Sequence, residues 1–181
     1  MPIPLIIGIF IGGVILVFAI FMAIATAVAK GGSDKIFEVL DTNRTNALNR
    51  LSSEGFKISK SFEISQLAYG KNGNAIDKPF VGVFIDETNK RVAFASYKDG
   101  LFLCLHRDQI RHVEFIEKTK TSSTDTCLKM LNLIVYTKMS LEPYKIKVLQ
   151  FAVYSVSSKF KDMFEFKDKV TEAINNLMQK N

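Results

Sequence analysis

The only two histidines of the chain, His106 and His112, lie in "HRDQIRH" with Asp108 between them. Imidazole and carboxylate close together are the start of a metal site, or of a general base with an orienting acid. A metal centre needs three or four converging ligands with supporting hydrogen bonds. Only Cys104 or Cys127 could complete one here, and only if strand pairing carried them to the same corner. The set is incomplete as it stands, and both histidines are expected to be ordinary residues at the rim of the fold. Nucleophilic chemistry fares no better. The chain has no G-x-S-x-G, no phosphate-cradling GxxxxGK[ST] and no GxGxxG, and "GKNG" at Gly70 to Gly73 has neither phosphate-loop spacing. The carboxylate pair Asp86-Glu87 stands where a turn wants Asp for backbone reasons. No catalytic residue, cofactor or metal is expected.

The basic residues offer a different chemistry. Net charge is +6, and every charged side chain falls from Lys30 onward, with acids and bases interleaved. Lys57, Lys60, Arg107, Arg111, Lys145 and Lys147 are candidates for contact with an anionic partner. Lys145 and Lys147 alternate with Ile146 and Val148, which puts the lysines on one side of a strand. There they also discourage edge-to-edge pairing. No basic stripe is interleaved with exposed aromatics, so nucleic acid is not an expected partner. Cys104 and Cys127 both sit in apolar runs and are expected as free, buried thiols.

Elements must position these residues. Ile36, Leu40, Ala47 and Leu51 recur near helical spacing, which predicts a helix from Asp34 to about Leu51, stopped by Gly55. From Phe56 the period becomes two. "FKISKSFEI" reads as a strand and "YGKNGNAIDK" as a loop. "FVGVFID" and "RVAFASY" are strands joined by "ETNK"; "LFLCLH", "IRHVEFIEK", "CLKMLNLIVYT" and "YKIKVLQF" follow. These seven short strands with short connections favour antiparallel pairing. Phe166, Val170, Ile174, Leu177 and Met178 form one face of a final amphipathic helix that covers the sheet or the end of a barrel.

The opening "PLIIGIFIGGVILVFAIFMAIATAVAKGG" is uncharged from Ile3 to Ala29, about 40 Å as a helix and long enough to span a bilayer. No Lys or Arg precedes it, which argues for a retained anchor rather than a cleaved signal. Lys30, Lys35, Arg44 and Arg50 follow it, which predicts an N-terminus outside and a cytoplasmic C-terminal domain at the inner (plasma) membrane. Gly8, Gly12, Ala19, Ala23 and Ala27 put small residues on one face, a surface for packing with another membrane helix or a second copy. Lys30, Lys35, Lys57 and Lys60 are the candidate contacts with an anionic surface.

About seven meander-like strands followed by one helix resembles the pleckstrin-homology-like family over roughly Phe56 to Lys180, through "GVFIDETNKRVAFASY" and the final helix. The resemblance implies two near-orthogonal sheets in a partly open barrel capped by the helix, and a module that binds peptides, lipids or other domains. The chain departs from it in having no Trp and no basic cluster around the first hairpin. The expected fold class is therefore α+β: an N-terminal transmembrane helix (1–30), a linker and juxtamembrane helix (31–55), and a seven-stranded antiparallel PH-like barrel or sandwich with its C-terminal helix (56–181). The expected function is a membrane-anchored cytoplasmic interaction module with a protein partner and no catalysis. The alternatives are an anionic-lipid-binding module and a structural subunit of a larger membrane complex.

Overall fold

The computed structural model describes residues 35–69, 75–149 and 152–179. Helix α1 (35–53) comes first. Strands β1 (Lys60–Tyr69), β2 (Ala75–Asp86), β3 (Arg91–Ser96) and β4 (Leu101–His106) follow. A single 3-10 turn (Arg107–Gln109) then leads into β5 (Ile110–Thr121), β6 (Thr126–Thr137), β7 (Tyr144–Lys147) and β8 (Val153–Tyr154), and α2 (Ser158–Gln179) closes the chain. Strands β1-β2-β3-β4 form one antiparallel sheet, sheet A. Sheet B has the order β5-β6-β7, with β8 also paired to β6. Strands β7 and β8 lie on the same side of β6, against Asn132–Val135 and Cys127–Leu128, and behave as one interrupted edge. At the interruption the N–H groups of Val148 and Leu149 both reach the Leu131 carbonyl.

Sheet A is buried on both sides, and its sequence shows why. Register and alternation put Val81, Val83, Ile85, Val92 and Phe94 on the side facing sheet B, where all are buried. The opposite side carries Glu63, Gly82, Phe84, Ala93, Ala95 and Tyr97, and α1 lies on it. Leu40, Ala47 and Leu51 recur on one helix face and are buried there, each leucine contributing about 2 kcal/mol of apolar burial. Small residues at 82, 93 and 95 make room for the helix. Gly82 is the tightest: a Cβ there would run into the Tyr97 hydroxyl and lie 2.8 Å from Phe84 Cε2. Helix α2 packs on β1 and β5, with Met163, Phe166, Val170, Ala173, Ile174 and Leu177 buried. The buried Gln66 amide donates to the Val148 carbonyl at 2.5 Å and ties β1 to the far edge of sheet B.

The end of α1 is fixed by charge. Gly55, at φ 62°, stops the helix in the left-handed region that glycine adopts without penalty. Arg91 donates to the carbonyls of Glu54 (3.1 Å) and Gly55 (2.7 Å) and to Asp86 Oδ2 (2.9 Å). Asp86 is fully buried and also accepts from the backbone N–H groups of Lys57 and Asn89 and from the Asn89 amide. One carboxylate thus joins the helix end, the segment entering β1 and the β2–β3 turn.

Several expectations are corrected. The single membrane-spanning helix is one, and with it the assignment as a single-pass signal anchor at the inner plasma membrane with a cytoplasmic domain: among the described residues no helix is long and apolar enough to cross a membrane. Both described helices carry charges turn after turn, from Lys35 to Arg50 in α1 and from Lys159 to Glu172 in α2, which hydrocarbon does not tolerate. The stretch Ile3–Ala29 on which that reading rested, with Gly8, Gly12, Ala19, Ala23 and Ala27, and Lys30 after it, lies outside the described residues. Among the described residues the strands number eight rather than seven. Strand β2 starts at Ala75, inside the stretch read as loop, because polar residues there still pair with β1. The helix α1, read as a juxtamembrane element, is a packed layer on sheet A. Ile36, expected on its buried face, is 54% exposed, as sheet A is engaged only from Leu40 onward. Helix α2 starts two turns before Phe166, and Met163 and Ala173 take the buried place expected of Met178.

Two outcomes test this packing. Gly82→Ala should lower stability by about 2 kcal/mol through overpacking, and less in a Tyr97→Phe background, as read by urea midpoints. Burial opposes ionisation of Asp86, but the Asn89 side chain and backbone, the Lys57 N–H and Arg91 outweigh it and bring its pKa down from 3.8 to about 2. A depressed folded-state pKa gives stability that is full above the unfolded value and is lost as pH falls through the folded one. Unfolding titrations should therefore show a loss between about pH 4 and pH 2, and Asp86→Asn should remove that dependence while lowering stability at pH 7.

Candidate functional site

The described helices leave the outward side of sheet B uncovered, since α1 lies on sheet A and α2 packs on β1 and β5. Register places His112, Glu114, Ile116 and Lys118 of β5 on this side. Tyr136 and Met130 of β6 stand half-buried beside them, Ile134 and Asn132 between those two are buried, and Lys145 and Lys147 of β7 lie beyond. Three contacts confirm that these side chains share a face. The Tyr136 hydroxyl donates to Glu114 Oε1 at 2.9 Å. The His112 ring stacks at 5.9 Å from the Tyr136 ring. Arg111, bulged out of register between Ile110 and His112, sets its guanidinium 6.0 Å from the same ring. Phe115, one residue out of phase, points the other way and meets Phe166 of α2 edge-on.

This face has an apolar and aromatic centre with a basic border. Ile116 is 42% exposed, and Arg111, Lys118, Lys145 and Lys147 are exposed around it. Glu114 is the acid within the border, and Tyr136 and His112 both engage it (His112 Nε2 at 3.7 Å). The Glu114 carboxylate pushes the Tyr136 hydroxyl upward from its usual range. At one end the β6–β7 turn lifts Met139 and Leu141 into solvent, the latter completely exposed. Gln109 holds that turn, accepting the Lys138 N–H and setting its amide 3.3 Å from Met139 Sδ. An uncharged centre ringed by cations suits a partner whose surface is apolar and bordered by carboxylates.

The basic residues singled out from sequence do not converge. Arg111, Lys145 and Lys147 share the sheet B face. Lys60 pairs with Glu87 at 2.9 Å, and Lys57 donates its backbone N–H to Asp86, both at the far side of sheet A. Lys35 is exposed at the start of the described part of α1. Ile146 and Val148 are buried, with the lysines on an edge strand. The histidines separate. His106 caps the 3-10 turn through Nδ1, 3.4 Å from the Asp108 N–H, while His112 stacks on Tyr136. Among the described residues no three His, Cys, Asp or Glu side chains gather as metal ligands. Cys104 and Cys127 are free thiols, on sheet A and sheet B respectively.

Sequence reasoning missed the polar residues that fasten α1. Arg44 forms a bidentate pair with Glu63 (2.9 and 2.8 Å), and Tyr97, fully buried, donates to the same carboxylate at 2.6 Å. The Asn43 amide donates to the Tyr97 carbonyl, which turns Asn43 toward the inward side of α1. Burial alone would raise the Glu63 carboxyl, but the bonds from Arg44 and Tyr97 hold it below the ordinary range. Burial, then Glu63, pushes the Tyr97 hydroxyl far up. The one signal available was an acid in the middle of an alternating strand, facing a helix with Arg at the matching turn.

Compared with protein-family profiles, curated proteins and solved structures, the chain matches none. The resemblance to the PH-like family therefore rests on element order alone.

Cys104 offers a check on the sheet A side. Burial, then the neighbouring Glu54 carboxylate, pushes its thiol up to about 11. Alkylation by iodoacetamide at pH 8 should run at least roughly tenfold slower than for free cysteine, and Glu54→Gln should speed it. Denatured protein should titrate two thiols with or without reductant.

Proposed function

We propose that the chain is a non-catalytic interaction module that binds a protein partner through the outward side of sheet B. The observation that carries this reading is the meeting of Ile116 and Tyr136 with Arg111, Lys145 and Lys147 on the one sheet face that no described helix covers. Interface centres are depleted in charge and enriched in aromatic residues and Met, with charged residues at the rim, and this face has that distribution. The exposed Met139 and Leu141 extend its apolar part beyond the end of β6. The strong polar groups elsewhere are consumed by structure. Asp86, Glu63, Tyr97 and Arg44 each hold elements together and present no free group to a substrate. The proposed partner surface is acidic at its border and apolar at its centre.

The test is affinity purification from the native cells with quantitative comparison of variants. Lys145→Glu with Lys147→Glu should lose at least tenfold of a discrete partner, with association falling as salt rises. Lys57→Glu with Lys60→Glu should retain it. Equal recovery by both double variants would overturn the assignment of this face.

A further inference from the structure

The four outer strands of the two sheets are not alike. Strand β1 is packed by α2. Strand β5 carries Arg111, Glu114, Glu117, Lys118 and Lys120, is bulged at two places, and is also approached by α2. Strand β7 carries Lys145 and Lys147, follows Pro143, and breaks before β8. Each of these is a device that stops another chain from pairing with the edge. Strand β4 has no charge, Pro or bulge along its apolar run, and α1 lies beside it with Arg50 over Phe102. That run, "LFLCL", leaves Leu101, Phe102, Leu103 and Cys104 only half-buried.

The edge of β4 is also furnished. A groove of about 510 Å³ runs between it and α1, lined on the helix side by Asn43, Asn46, Asn49, Arg50 and Ser53 and on the strand side by Gly100, Leu101 and Phe102. Arg50 lies flat over the Phe102 ring at 4.3 Å, with 57% of its side chain still exposed. Its acidic neighbour Glu54 is 3.9 Å away, at the limit of an ion pair. The groove therefore offers a strand edge that no described strand occupies and a wall of amides around one cation, itself seated on the Phe102 ring.

We propose that β4 accepts an extended segment of a partner protein as a fifth strand of sheet A, with an acidic side chain of that segment on Arg50. Strand addition of this kind draws affinity from the backbone and selectivity from pockets for alternate side chains. Charge decides the occupant. Arg50 is the groove's charged residue and calls for a carboxylate, with the Asn46 and Asn49 amides beside it to complete the hydrogen bonds.

A random dodecapeptide library displayed on phage, panned against the full-length chain, supplies the probe. Selected peptides should share an alternating apolar pattern with one Asp or Glu. They should slow amide hydrogen exchange at Leu101–Cys104 and leave β5 and β7 unchanged. Changing the peptide's acid to Lys should weaken binding at least tenfold, and Arg50→Glu should reverse that preference. Three results would overturn the proposal: no shared pattern among the selected peptides, protection at β5 or β7 instead, or β4 protection that appears without peptide as the chain dimerises with concentration. Lys145→Glu with Lys147→Glu should leave peptide binding intact, so failure here is distinguishable from failure at the sheet B face.

Discussion

Sheet A holds its shape because a helix is clamped on its outward side by charge, one carboxylate fully buried and one half-buried. Two carboxylates do this. Glu63 takes Arg44 and Tyr97, and Asp86 takes Arg91, Asn89 and the Lys57 backbone. A buried carboxylate left alone would cost several kcal/mol, so each has value only with all its partners in place. That requirement fixes the helix axis relative to the strands. Removing the helix would expose Phe84, Ala93 and Ala95 on an otherwise apolar sheet face and leave two charges stranded. The clamp is thus a device for specificity of arrangement as much as for stability.

That arrangement distributes the free surfaces. Covering sheet A commits its polar groups to structure and leaves its last strand bordering a groove. With no described helix over the outward side of sheet B, Tyr136 and Ile116 stand among cations. The two surfaces differ in kind. One is a broad patch suited to a folded partner, the other a narrow edge suited to a flexible segment.

Much of this was legible in the chain. "FVGVFID" and "RVAFASY" read as strands because their apolar runs are short and end at turns, and their nearly continuous hydrophobicity follows from burial on both sides. Lys145 and Lys147 announced an edge by alternation. What could not be read was long-range partnership. Asp86 was visible as a turn residue, but its bond to Arg91 and Arg91's reach to the end of α1 depend on which strands neighbour which helix. The start of β2 was missed because its first residues are polar and gain strand form only by pairing with β1. The membrane reading rested on the hydropathy of Ile3–Ala29 and on the Lys and Arg that follow it, and the described helices gave it no counterpart. The Tyr136 cluster was invisible because Arg111 reaches that face only through a bulge, which period-two reasoning places on the wrong side.

The layout of α1 also has a mechanical meaning. Its fastenings are spread along its length: Asp41 to Lys78, Arg44 to Glu63, Asn43 to the Tyr97 carbonyl, and its far end to Arg91. They reach strands β1 and β2, the end of β3 and the β2–β3 corner rather than one strand alone. Losing any one of these contacts would therefore leave the helix held to the sheet by the others.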